Sequence, residues 1–445
     1  MPATVLRDRV YRRLFTAQVV ALVGTGLATV ALGLLAYDIA GADAGAVLGT
    51  ALAIKMTAYV VIAPLVGAFA DRLPRRVLLV GADLLRAGVA VALPFVDQVW
   101  QVYVLVFVLQ SASAAFTPAF QAVIPDVLPE ERDYTRALSL ARLAYDLESL
   151  FSPALAAALL TAVGYHRLFT GTLLGFLGSA ALVATTALPR ATTLASRAGG
   201  AYARATAGTR LFLAVPELRA LLALNLAVAA ASALVTVQSV VYVRDFLGLG
   251  AGAVPLALGA YGAGSMAVAL ALPRILERTG DRPVMLRGGL LLVVVFAATG
   301  AITASDDGSW RVPALLAAWC GFGAGCSMVL TPAGRLVRRA APDRERTAVF
   351  AAQFSLSHSC WLLTYPLAGW VGATAGLAAA VTVLGAVAGC AAVAATLLWP
   401  APGTVHEHPG LAADHPHVSG ALRVPGGWRH SHPRVGDGPH PATSA

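Results

Sequence analysis

The chain alternates between long apolar runs and short polar turns. Apolar stretches cover about 14–36, 46–70, 77–96, 99–121, 138–163, 167–189, 219–243, 253–273, 286–304, 313–334, 348–371 and 376–399. Each is about 20 residues or more, the length at which a helix crosses a hydrocarbon core of roughly 30 Å. Only helices and closed barrels satisfy their backbone in lipid, and these runs are too long for barrel strands. The pattern predicts an all-α membrane protein with twelve transmembrane helices. The polar interruptions divide it into an N-terminal six-helix half (1–189), a central loop (190–218), a C-terminal six-helix half (219–399) and a tail (400–445). The tail is full of Pro, Gly and His, with too few apolar residues to span, and is expected to be disordered.

Composition agrees with burial in lipid. Of 445 residues, 58% are hydrophobic and only 12% charged, against about 25% charged in a soluble domain. The net charge of +9 is spread over short clusters between the apolar runs, and so points away from nucleic acid. Twenty-four of the 32 Lys+Arg lie before the first run and in every second loop after it, while the opposite loops hold only Arg167, Arg244 and Arg311. The positive-inside rule then puts both termini in the cytoplasm, for a multi-pass protein of a bacterial inner membrane. All four cysteines fall inside apolar runs, as small buried hydrophobes rather than a disulfide framework.

Two segments repeat. Thr117-Pro-Ala119 near the end of the fourth run recurs as Thr331-Pro-Ala333 near the end of the tenth, and each precedes a charged loop, Pro129–Arg132 and Pro342–Arg346. After the second run comes Gly67-Ala-Phe-Ala-Asp71-Arg72-Leu-Pro-Arg75-Arg76, with a weaker echo at Glu277–Arg282. Echoes in one order imply two parallel halves, which usually enclose a substrate site near the bilayer midplane.

The pattern Gly-x-x-x-Asp-Arg-x-x-Arg-Arg resembles the signature loop of the major facilitator superfamily. That resemblance covers about residues 10–400 and implies an alternating-access transporter. In it Gly67 allows close helix approach, and Asp71, Arg72, Arg75 and Arg76 form a charged cytoplasmic latch with Asp83 and Arg86 nearby. Phe15, Gln18 and Gly24, and the segment Ala119–Asp126, resemble the exporter branch. That branch often has a glycine before the fifth-span proline, where this chain has Ser152-Pro153.

A charge near the bilayer centre costs at least about 2.5–3.5 kcal/mol on the insertion scale, so each one is a functional candidate. Asp83 and Arg86 stand three apart and are able to neutralise each other. Lys55 either snorkels outward or serves the transport path. Asp146 and Glu148, about 200° apart around a helix, cannot both face one cavity. Either is able to bind a cation or release a proton. His358 lies near the middle of a polar stretch with Gln353, Ser357 and Tyr365. It is either a satisfied buried imidazole or a group that ligates metal and titrates near neutral pH. Cys326 and Met328 are possible soft ligands.

Seven of the nine histidines follow residue 400, among them His406, His408, His415, His417, His430 and His432. Paired imidazoles on a flexible chain suit Ni²⁺, Co²⁺, Zn²⁺ or Cu²⁺. With the stretch around His358, this tail is similar to the nickel/cobalt-resistance exporters of the superfamily. The similarity implies efflux of a divalent cation, with the tail as cytoplasmic collector or sensor. On the residue reading, Glu148, Asp146 and His358 supply a central site that holds metal and protons in turn, with His358 and Glu148 as metal ligands. An exporter of hydrophobic drugs or siderophore-like metabolites is the alternative, and a transporter-derived metal sensor a third reading. No P-loop, nucleophile elbow, HExxH or paired CxxC is present, so neither an enzyme nor an ATP-driven pump is expected, and no cofactor.

Overall fold

The computed structural model describes residues 2–40, 44–69, 73–160, 164–189, 201–250, 253–341, 345–400, 404–408, 422–424 and 427–432. Each of the twelve apolar runs coincides with a helix. The first six are α1 (Arg9–Ala40), α2 (Ala44–Phe69), α3 (Arg75–Ala92), α4 (Val99–Val127), α5 (Glu131–Leu160) and α6 (Leu168–Ala184). The last six are α8 (Pro216–Val241), α9 (Val254–Thr279), α10 (Asp281–Ala304), α11 (Arg311–Ala340), α12 (Arg346–Ala375) and α13 (Leu377–Leu398).

Eight described helices are long and apolar enough to cross a membrane, and the shorter apolar stretches Thr50–Val66 and Leu168–Ala184 accompany them. Of these twelve helices α5 and α12 lie outside this set, and both carry many charged, hydroxyl or amide side chains. Helices that are polar within a membrane face protein or a cavity rather than lipid, and both line the cavity described below.

Within the group α1–α6 of the chain order, α1 lies on α6, α3 on α4 and α6, and α2 on α4; within the group α8–α13, α9 lies on α11, α8 on α13 and α12, and α10 on α11 and α13. The groups meet along α2 with α12 and α5 with α9. Small residues allow close packing inside the second group. A Cβ on Gly323 would overlap the Tyr261 carbonyl oxygen, and one on Gly264 the Cys320 carbonyl. In lipid such close approach replaces the hydrophobic drive to associate. Gly323→Ala should therefore lower stability by roughly 1–3 kcal/mol, as overpacking does. A melting curve of the purified variant matching wild type would overturn this. The α9–α10 and α12–α13 turns rest on Gly280 (φ +75°) and Gly376 (φ +86°), a left-handed conformation that other residues adopt only with strain.

Two regions differ from expectation. Inside the central loop, Ala201–Ala214 forms a helix, α7, because its alanines favour helix even without a strong apolar stripe. It packs against both α2 and α12, with Phe212 fully buried and Gly208 so near the Ala348 carbonyl that a Cβ would overlap it. The tail, expected to be without order, instead holds an antiparallel sheet of Thr404–His408 (β1), Leu422–Val424 (β2) and Gly427–His432 (β3) in the order β1-β3-β2. Val405 stands between Thr404 and His406, and Leu422 and Val424 flank Arg423, an alternation that suits strand pairing.

Candidate functional site

Helix ends rich in arginine converge at one end of the bundle, and there the two groups are tied together. Arg75 on α3 pairs with Asp126 at 2.5 Å, and Asp126 also holds Arg346 of α12. Arg335 on α11 reaches Glu131 at 2.6 Å, Thr135 at 2.7 Å and Asp281 at 3.1 Å. Arg339 pairs with Asp281 at 2.6 Å and also with Glu131. Arg132 meets Glu277 at 2.7 Å, the Tyr134 hydroxyl donates to the Gly334 carbonyl at 3.1 Å, and Arg338 donates to the Pro129 carbonyl at 2.5 Å. Asp281 and Arg335 are almost wholly buried, with side chains 3% and 7% exposed. Fork-shaped guanidinium contacts of this kind fix geometry as well as charge. This end of the bundle is sealed.

Above the seal lies a cavity of about 320 Å³ between α2, α4, α5, α11 and α12. Its wall is mostly aromatic and aliphatic: Tyr59, Tyr145, Phe350, Phe354 and Trp361 with Leu138, Leu330 and Val337. Its polar groups are few, namely Thr117, Gln121, Arg142, Thr331, Gln353, Ser357 and His358. That mixture, and that volume, suit a small organic ligand. Both copies of the Thr-Pro-Ala repeat contribute, Thr117 from α4 and Thr331 with Ala333 from α11.

His358 lines this cavity beside Tyr59, Phe354 and Trp361, with ring centroids 4.8, 4.2 and 5.4 Å away. Its Nδ1 lies 2.7 Å from the Phe354 carbonyl, an oxygen that only accepts, so Nδ1 carries a proton. Gln353 has a buried side-chain oxygen with no hydrogen-bond partner among the described residues. Ser357 bonds back to its own helix at the Phe354 carbonyl, and Ser355 donates to the Val60 carbonyl at 2.6 Å, joining α12 to α2.

The acids of α5 diverge, as their spacing requires. Asp146 pairs with Arg142 at 2.9 Å and accepts from Ser265 of α9 at 2.6 Å, while Arg142 donates to the same Ser265 hydroxyl at 3.0 Å. One buried triad thus crosses between the groups. Glu148 turns the other way, into the electrostatic neighbourhood of Lys55, which is also close to Tyr365. Lys55 sits 5.7 Å from the Tyr59 ring centre. Asp83 and Arg86 form a buried pair. Ser179 donates to Asp83 at 2.7 Å, and the Arg86 guanidinium lies 4.5 and 4.6 Å from the Phe116 and Phe176 ring centres.

The structure therefore brings Gln353, Ser357 and His358 to one cavity, but places Glu148 with Lys55 and Asp146 with Arg142. Among the described residues no group of three His, Cys, Asp or Glu is placed to hold a metal ion. Cys326 faces the Ser232 hydroxyl at 3.9 Å, and Met328 packs on Leu272, Leu276 and Val284. Gly67 lies in the last turn of α2. Arg76 donates to the Thr186 carbonyl at 2.7 Å. Asp71, Arg72, His415 and His417 lie outside the described residues, as do the side chains of His406, His408, His430 and His432. The sequence did not single out Tyr59, Gln121, Tyr145, Phe354 or Trp361 as cavity residues. The one available signal was the Thr-Pro-Ala repeat, one turn from Gln121.

Among curated proteins, the chain is 28% identical over 153 residues to macrolide efflux protein A of Streptococcus pyogenes, covering 32% of this chain and 38% of that one. The matched segment thus spans less than two fifths of that relative. Among solved structures, the human organic anion transporter MFSD10 superposes with a TM-score of 0.73 at 16% identity, over 87% of this chain and 99% of the other. A bacterial homologue of the iron transporter ferroportin, in its outward-facing state, gives 0.73 at 15% identity, over 88% and 99%. These two likenesses are of fold. The family model of the Major Facilitator Superfamily matches residues 14–312 and 220–430, most of the chain. Its multi-pass helical body, its central cavity and that match agree: the chain is a membrane transporter belonging to the Major Facilitator Superfamily.

Proposed function

We propose that the protein exports an amphipathic organic molecule across a bacterial plasma membrane by alternating access, in exchange for protons. Twelve spans in two pseudo-symmetric halves, with both termini in the cytoplasm, complete the reading, and the sealed arginine end then makes this the outward-facing state. The observation that carries it is the cavity wall of Tyr59, Tyr145, Phe350, Phe354 and Trp361 with a handful of polar groups, of which Arg142 is the charged one and is paired with Asp146. Among the described residues His358, Glu148 and Asp146 do not gather into a group of three that would hold a metal ion. Relatives named for macrolide efflux support the direction of transport.

A second reading, efflux of Ni²⁺ or Co²⁺, draws on the tail. The pairing of β1 with β3 sets His406 opposite His430, with His408 and His432 two residues along their strands. The two readings separate in cells carrying or lacking the gene, loaded with a macrolide, a lipophilic dye, or nickel and cobalt salts. Lower macrolide and dye accumulation with unchanged metal content supports organic export; the reverse result sinks it. Trp361→Ala removes an aromatic wall worth roughly 1.5 kcal/mol and should raise the half-saturating substrate concentration about tenfold.

A further inference from the structure

A second, separate pocket of about 260 Å³ opens at the arginine end, in the lateral groove between α5 and α9. Arg132 and Arg136 of α5 and Arg274, Glu277 and Arg278 of α9 line it. Arg132 is matched by Glu277 at 2.7 Å and Arg136 by Asp133 at 3.0 Å. Arg274 and Arg278 are exposed, and neither forms an ion pair among the described residues. They stand one turn apart on the same face of α9, where two like charges repel unless an anion lies between them. The pocket has an apolar rim: Leu270 lines it, 44% exposed, and Ile275, 40% exposed, neighbours Arg274 on α9.

We propose that this groove binds the phosphate of an anionic membrane lipid. Arginine forks take phosphate oxygens two at a time, and basic pockets between helices on the cytoplasmic face suit acidic headgroups. The exposed Leu270, one turn from Arg274 toward the middle of α9, offers an acyl chain a contact that free phosphate lacks. Because one wall belongs to each helix group, the headgroup bridges α5 and α9 beside the Arg132–Glu277 pair and adds to the seal.

The test uses the full-length protein in neutral phosphatidylcholine micelles. It is titrated with phosphatidylglycerol in one arm and inorganic phosphate in the other, following the melting temperature. Phosphatidylglycerol should raise it saturably, and inorganic phosphate at millimolar concentration should not. Arg274→Gln with Arg278→Gln should shift the half-saturating lipid concentration roughly thirtyfold, each basic residue contributing about fivefold, while Arg274→Lys with Arg278→Lys keeps most of the response. Equal melting in both lipids would overturn the proposal, as would phosphate reproducing the effect, or a double glutamine variant titrating like wild type. If that variant does not fold, the lysine pair and the two wild-type titrations still decide.

Discussion

Arg335→Ala is expected to open the arginine end of the transporter. Arg335 is the one side chain in the seal that touches Glu131, Thr135 and Asp281 together. Removing it strands the buried Asp281 carboxylate with a half-exposed partner, Arg339. Breaking a buried pair from one side costs roughly 3–5 kcal/mol; with Arg339 still present the lower figure applies. That cost falls only on the sealed state, so the equilibrium should move more than a hundredfold toward the state open at this end. Spin labels at the exposed Glu130 and Thr279, one on each helix group, report the change as a longer distance. An unchanged distance distribution would show that the seal does not depend on this residue. Arg335→Lys, which keeps the charge but loses the fork, should fall between. Adding Asp281→Asn to Arg335→Ala should recover part of the sealed population, because the stranded charge is gone.

Asp146→Asn is expected to uncouple export from the proton gradient. The substituted amide keeps the size of the carboxylate and still accepts from Ser265, but Arg142 then carries an uncompensated charge inside the membrane. Gradient-driven export in inverted vesicles should fall more than tenfold, while substrate binding in the cavity, which Asp146 does not line, changes little. The neutral pair Arg142→Gln with Asp146→Asn should no longer respond to the gradient, and because Arg142 lines the cavity its substrate affinity is to be measured beside that of Asp146→Asn. If Asp146→Asn exports at the wild-type rate under a gradient, the coupling carboxylate lies elsewhere, and Glu148 beside Lys55 is the next to test.

The apolar runs made the helices legible, because transfer of polar backbone and charge into lipid is costly enough to mark every span. Helix ends were less so. The fifth helix begins at Glu131 rather than near 138, since acids in its first turn favour the helix start and hydropathy does not record that. The candidates Asp146, Glu148 and His358 stood out because polar groups are expensive in a membrane. Tyr59, Phe354 and Trp361 did not, because an aromatic ring in an apolar run costs nothing and gives no signal of facing a cavity. The partners of Asp126 and Glu131 were out of reach for another reason. Their charges were visible, but Arg346 and Arg335 lie some 200 residues away, and only packing brings them together.

The Thr-Pro-Ala echo carries one more meaning. Aligned from the threonine, Thr117–Gln121 matches Thr331–Arg335, so Gln121 and Arg335 occupy the same position in two copies of one segment. Gln121 faces the cavity; Arg335 has left that duty and closes the gate. A duplicated chain begins with identical walls and a twofold-symmetric pocket, whereas most cargo is lopsided. Division of labour between the copies resolves that mismatch. Selectivity in such a transporter is therefore to be sought where the copies have parted company, as at Gln121 and Arg335, while Thr117 and Thr331, where they agree, give the cavity a matched pair of hydroxyls.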